Sequence, residues 1–295
     1  MRDTTFVNGR FVPRSQAVIN IEDRSCQFGD GVYEVVRYHG RTGLCLDQHL
    51  ERLQQSAGHL RIEGAPSIEE WKAILDRLMN ETELPEDPEH VFCLYQEVSR
   101  GVSPRNHTFP KEEIKPGVMA YFKPAPTYTT EQREKGIALS TQPDERWSRC
   151  YIKSVCLLPV VMAKQAAVEA GAFEALLVRD NIVTEVGATN VYCVKNGEVF
   201  THPTGPRILS GVTRTLVLEA ANNAGVRVNE TPVTLEEFRG ADEAFISSTT
   251  LDIMPATKLD GFSVGNGTVG PVTKKLMETI QQLVQENLAA TAKVG

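Results

Sequence analysis

The chain has 295 residues, enough for one large domain or two medium ones. Its apolar fraction of 41% and charged fraction of 23% are those of a globular protein with a sizeable core. The net charge of −7 excludes a nucleic acid or an anionic membrane as the natural partner, since both need a basic face. It leaves room for a local basic pocket around a small anion.

The N-terminal stretch MRDTTFVNGRFVP is too polar for a secretory signal. No window reaches the ~18 apolar residues of a membrane span, so a cytoplasmic location is expected. Cys26, Cys45, Cys93, Cys150, Cys156 and Cys193 form no C-x-x-C pair and mostly lie in apolar segments. Buried, reduced thiols are expected, with no metal and no disulfide.

In chain order, Phe6-Val7, Asn8-Gly9 and Phe11-Val12 read as a tight hairpin. Leu50, Leu53, Ala57 and Leu60 recur at helical spacing. Ser67-Ile68-Glu69-Glu70 reads as a capping box, followed by Trp71, Leu75 and Leu78 on one helix face. Residues 91–98 and 118–122 read as strands. The segment KPAPTYTT, with its two prolines and no periodicity, reads as a linker over 123–131. It divides a small N-terminal domain (1–122) from a larger C-terminal one (132–295). Beyond it, strands are expected at 137–141, 174–178, 182–184, 191–194, 198–201 and 244–246. Helices are expected at 158–170, 212–223 and 272–288, the first two closed by Gly171 and Gly225. The class is α+β.

Lys153 lies in CYIKSVCLLPVVM, where Ser154 is the only other strongly polar residue. Burial of an amine lowers its pKa and makes it a nucleophile toward carbonyl carbon. The bland alternative is a lysine reaching from a strand end to water. Glu185, in IVTEVGATN, is either a solvated loop residue or a buried acid able to hold a protonated ring nitrogen. Ser210-Gly211-Val212-Thr213-Arg214 precedes an apolar-periodic helix, and such a helix start offers N–H groups to phosphate. Ser247-Ser248-Thr249-Thr250 offers hydroxyls after a short strand. Arg52 falls opposite the leucines of its helix. Arg105 and His107, in SRGVSPRNHTFP, are two cationic donors in one loop, suited to gripping a carboxylate. No dinucleotide fingerprint, P-loop or metal-spaced cluster is present.

Together DRSCQFGDGVYEVVR, HLERL, SRGVSPRNHTFP, RWSRCYIKSVCLLP, AKQAAVEAG, TEVGATNVY, THP..ILSGVTR and FISSTTLDIMP resemble, in the same order over nearly the whole chain, the fold-type IV enzymes that use pyridoxal 5'-phosphate (PLP). The Arg-x-His pair of SPRNH is similar to the carboxylate trap of the D-amino-acid transaminases. The resemblance implies two α/β domains with the cofactor in the cleft between them. It implies that Lys153 carries PLP and shuttles protons, and that Glu185 pairs with the pyridine nitrogen. Arg52, the backbone of Val212 and Thr213, and the Thr249 hydroxyl would hold the phosphate. Tyr33 would stand near the substrate carboxylate, and Arg105 and His107 would reach that carboxylate from the partner of a homodimer. The implied substrates are amino acids and 2-oxo acids, D-alanine and 2-oxoglutarate first. A branched-chain L-amino-acid aminotransferase, an aminodeoxychorismate lyase and an (R)-selective amine transaminase share the fold and remain alternatives, with a non-catalytic binding protein behind them. Two positions depart from the D-specific pattern. Ala188 stands where a hydroxyl residue is common, and Tyr151 where an aspartate is.

Overall fold

A computed structural model describes residues 2–292. They group into two compact units. One holds the described residues 2–125, 152–156 and 287–292; the other holds Pro126–Tyr151 and Leu157–Glu286.

The first unit contains β1 (Thr4–Val7), β2 (Arg10–Pro13), α1 (Arg24–Phe28), β3 (Gly31–His39), β4 (Thr42–Gly43), α2 (Leu46–His59), α3 (Ile68–Thr82), β5 (Val91–Ser99) and β6 (Gly117–Pro124). Its six strands run β2-β1-β6-β5-β3-β4, antiparallel throughout. The β1–β2 turn is Asn8-Gly9 with both residues at positive φ, as a primed hairpin turn requires. Val32, Glu34, Val36 and Tyr38 of β3 share a face with Leu94 and Gln96 of β5, and all are buried. α2 packs on β3, and α3 on β1. Leu50, Leu53 and Ala57 of α2 and Trp71, Leu75 and Leu78 of α3 are buried with that face. The capping box of α3 is formed: Ser67 Oγ accepts from Glu70 N–H, and the Glu70 carboxylate accepts from Ser67 N–H.

The second unit contains α4 (Thr130–Lys135), β7 (Ile137–Pro143), α5 (Leu158–Glu169), β8 (Glu174–Arg179), β9 (Ile182–Val186), β10 (Asn190–Lys195), β11 (Glu198–Thr201), α6 (Val212–Asn223), β12 (Val228–Glu230), α7 (Leu235–Arg239), β13 (Glu243–Ser248), β14 (Asp252–Leu259), β15 (Phe262–Ser263) and most of α8 (Pro271–Ala292). The sheet runs β12-β11-β10-β13-β14-β7-β8-β9, with β15 beside β14. Its pairs β7–β8, β7–β14 and β11–β12 are parallel. The core gathers Leu139, Leu176, Val186, Val191, Ile246 and Met254.

The expected linker is shorter than 123–131. Lys123 and Pro124 continue β6 opposite Cys93 and Phe92. Thr129 starts α4 through a second capping box with Gln132. All six cysteines are free, but Cys26 and Cys156 are exposed rather than buried. The short α1 turns Cys26 outward, and Cys156 ends the segment just before α5.

Candidate active site

In the first unit, residues 152–156 lie along the start of β3. Ser154 bridges Val32, Val155 N–H donates to Gly31 C=O, and Tyr33 N–H donates to Lys153 C=O. Lys153 N–H donates to Oγ of the buried Ser56 on α2 at 3.3 Å. The backbone of Lys153 is therefore fixed from two sides. Its side chain is half-buried, with Nζ 4.4 Å from the centre of the Tyr33 ring. An ammonium over an aromatic face is held electrostatically while it stays within reach of other partners.

The first unit also holds a buried ionic group, whose His49 feels the charge of Lys153. Glu34 is fully buried on β3 and accepts from Arg52 Nε at 2.6 Å and Arg52 Nη2 at 2.9 Å. The other neighbour, His49, places Nδ1 2.8 Å from Glu34 Oε2. A carboxylate only accepts, so Nδ1 carries the hydrogen. Burial pushes the Glu34 carboxyl up, but the charges and hydrogen bonds of Arg52 and His49 outweigh it and hold the group well below the usual carboxylate range. Burial lowers the His49 pKa, and the nearby cations Arg52 and Lys153 lower it further, against the pull of Glu34. Arg52 is thus not a solvated arginine, as its position opposite the leucines would allow. Its guanidinium is clamped by a bidentate carboxylate.

In the second unit, Glu185 lies within β9 and is buried. Its Oε1 accepts from Asn190 Nδ2 and from Leu209 N–H, each at 2.9 Å; its Oε2 accepts from Arg146. Arg146 is gripped in turn by both oxygens of Asp144. Burial pushes the Glu185 carboxyl up, against the pull of Arg146 and of Leu209 N–H, which leaves it a comparatively basic acid. Asn190 Nδ2 also donates to Leu209 C=O. Beside this group α6 begins. Its cap residue, Gly211, gives no side-chain hydrogen bond, so the first N–H groups, those of Val212 and Thr213, have no side-chain cap. A Cβ on Gly211 would run into Asn190 Oδ1, so a larger residue there would have to displace Asn190 or the helix start. Asn190 faces Ser247 across the β10–β13 ladder, and half-buried Thr249 follows in the turn after β13.

The family model of class IV aminotransferases matches residues 31–259. The chain belongs to the class IV aminotransferases. It is 41% identical to D-alanine aminotransferase of Bacillus licheniformis over 96% of this chain and 98% of that protein. It is 39% identical to D-alanine aminotransferase of Listeria monocytogenes over 95% and 96%. Among solved structures, Escherichia coli branched-chain amino acid aminotransferase superposes with a TM-score of 0.86 at 24% identity, covering 96% and 95%. The branched-chain aminotransferase of the archaeon Thermoproteus uzoniensis, solved with norvaline, gives 0.83 at 24% identity, covering 97% and 96%. The fold is that of the fold-type IV enzymes.

For this class IV aminotransferase, the sequence-derived residues fall into three groups. Lys153 and Tyr33 meet in the first unit, where Arg52 is bound to Glu34 beside His49. Arg105 and His107 are exposed in the same unit and flank Phe28, with the Arg105 guanidinium carbon 4.7 Å and the His107 ring 5.4 Å from its centre. Glu185, Val212, Thr213 and Thr249 belong to the second unit. Sequence reasoning missed the partners that hold these side chains: Glu34, His49, Asp144, Arg146 and Asn190. One signal was readable. Glu34 is in phase with Val32 and Val36 on an apolar strand, and His49 and Arg52 are three apart on a helix. Ala188 is exposed in the tight β9–β10 turn, where Val186 and Thr189 bond each other. A groove of about 1010 Å³ lined by Arg61, Glu63, Arg100, Phe109 and Lys115 touches none of these site residues. Among the described residues no cluster of ligand side chains suits a metal, and no helix is long and apolar enough to cross a membrane.

Proposed function

We propose that this chain is a D-amino-acid aminotransferase that moves the amino group of D-alanine to 2-oxoglutarate, yielding pyruvate and D-glutamate. The observation that carries the reading is the near-full-length likeness to D-alanine aminotransferases at 35–41% identity. The residues present fit PLP. The start of α6 has N–H groups without a side-chain cap and a glycine that keeps the approach open. The buried Glu185 can share the proton of a pyridine nitrogen. When bound, the cofactor supplies a reactive aldehyde and an electron-withdrawing ring.

The chain's own residues then divide the work. Lys153 would carry the cofactor, and its amine, once released by the incoming substrate, would take the proton from the substrate Cα and deliver it to the carbon that bore the cofactor's carbonyl, a role worth about 10²–10⁴-fold in such enzymes. Glu185, held by Arg146 and Asn190, keeps the ring nitrogen protonated. Val212, Thr213 and Thr249 would bind the phosphate, and Glu34 and His49 fix Arg52. Tyr33 lines the carboxylate side. Arg105 and His107 hold the carboxylate across the interface of a homodimer. The exposed apolar face of α5, formed by Leu158, Val161, Met162 and Val168, supports an assembly of this kind. Six free cysteines support a reducing, cytoplasmic setting.

Purified holoenzyme given D-alanine and 2-oxoglutarate is expected to form pyruvate and D-glutamate, and to form no pyruvate from L-alanine. The branched-chain L-amino-acid reading draws on the fold of the E. coli neighbour. Turnover of L-leucine with none of D-alanine would establish that reading instead.

A further inference from the structure

Arg24 is buried, an unusual state for an arginine and one that demands partners. It opens α1, a helix set by Asp23, whose carboxylate accepts from Ser25 N–H, and ended by Gly29 at φ 65°. This turn aims the guanidinium at the loop that carries Arg105 and His107. Arg24 Nη1 donates to the carbonyl of Asn106 at 2.7 Å and of Thr108 at 3.3 Å. These are the two peptide carbonyls that follow Arg105 and His107 in the chain. The same guanidinium lies 4.7 Å over Phe28, the ring that Arg105 and His107 flank.

The anchor of Arg24 is Asp30. Arg24 Nε donates to Asp30 Oδ2 at 2.8 Å, and Arg100 donates to both Asp30 oxygens at 2.8 and 2.9 Å. Burial pushes the Asp30 carboxyl up, but the hydrogen bonds from Arg100 and Arg24 outweigh it and hold it below the usual range. Arg100 continues to the carbonyls of Leu60 and Arg61 at the end of α2. Residues 103–116 contain neither helix nor strand. Hydrogen bonds within the loop are short-range, such as Thr108 N–H and Oγ1 to Asn106 Oδ1, while Ser103 N–H donates outward to Glu22 C=O at 3.3 Å. The loop therefore takes its shape from outside itself.

We propose that Arg24, seated on Asp30, is a positioning residue for substrate binding, which fixes the loop so that Arg105 and His107 present their donors to the substrate carboxylate. This rests on the carboxylate-gripping role of those two residues proposed above. Arg24 touches no substrate; it acts through the peptide backbone on either side of His107. A planar fork is needed because one group must reach a carboxylate and two carbonyls at once. A lysine keeps the charge but satisfies fewer of these partners.

The test is steady-state kinetics of the holoenzyme with D-alanine and 2-oxoglutarate. It compares wild type, Arg24→Gln, Arg24→Lys, Arg105→Ala and the Arg24→Gln/Arg105→Ala double variant. Arg24→Gln is expected to raise both KM values by about tenfold with a smaller change in kcat, the mark of lost binding rather than lost chemistry. Arg24→Lys should fall between it and wild type. In the double variant Arg24→Gln should add little to Arg105→Ala, since coupled residues are not additive. Should Arg24→Gln fail to give folded holoenzyme, Arg24→Lys alone and combined with Arg105→Ala carries the same comparison. A KM unchanged by Arg24 substitution while Arg105→Ala raises it, or effects that add in full, overturns the positioning role and leaves the grip standing. A KM unchanged in Arg105→Ala removes the grip itself and the proposal with it.

Discussion

Glu34 is closed off from bulk solvent, and its charge persists because Arg52 and His49 hold it. Substituting Glu34→Gln removes the charge but leaves the Arg52 guanidinium almost enclosed, with side-chain exposure of 11%. Breaking a buried pair from one side typically costs about 3–5 kcal/mol. Urea unfolding at neutral pH should show a loss of that order, and an unchanged midpoint would mean that the pair contributes nothing. The sign of the pH dependence follows from the direction of the shift. The folded carboxyl titrates below the unfolded one, so its contribution is complete above the unfolded value of ~4.3 and fades as acid is added below it. Glu34→Gln should therefore flatten the acid limb of the stability curve. Residues of this kind were half-legible. The apolar surroundings of Lys153 and the turn wording around Glu185 are local, and a reader of sequence meets them. The Glu185–Arg146 and Glu34–Arg52 pairs join residues 39 and 18 positions apart; the phase of Glu34 with Val32 and Val36 points to burial but names no partner.

At the scale of elements, α6 connects helix geometry to binding. Gly211 has φ −70°, so its backbone suits any residue; what opposes a side chain is Asn190 Oδ1, which a Cβ would run into. In Gly211→Ala either Asn190 or the helix start must move, at a typical overpacking cost of about 1–3 kcal/mol. Asn190 also holds Glu185, so the displacement reaches the acid. Titration of the apo-protein with PLP should show affinity reduced by about tenfold, the equivalent of ~1.4 kcal/mol. Wild-type affinity in this variant would detach Gly211 from the cofactor cradle. Most elements were readable because their signals are short-range: the Asn8-Gly9 turn, the Ser67–Glu70 box, the apolar period of 212–223. β3 was hard to read because Glu34 and Arg37 interrupt its apolar residues, one on each face, and β14 because Pro255 stands within it. The linker is shorter than its prolines suggest, because Pro124 occupies the last position of β6 and the Thr129–Gln132 box starts a helix.

For the whole molecule, the order of strands is the least readable property. The parallel pairing of β7 with β8, and of β14 with β7, joins segments separated by a helix or by more than a hundred residues. Turn chemistry specifies neighbours in sequence, and it is silent on such crossovers. The class was legible because several chemistry-bearing segments occur in one order along the chain. All of the proposed chemistry requires that one lysine carries the cofactor. Sodium borohydride fixes a carbonyl cofactor to the amine that holds it, so reduction of the holoenzyme followed by digestion and mass spectrometry reads out that lysine directly. The account predicts the phosphopyridoxyl group on the peptide that contains Lys153 and on no other lysine. The group on a different lysine, or a reduced enzyme whose Lys153 peptide is unmodified, would contradict it.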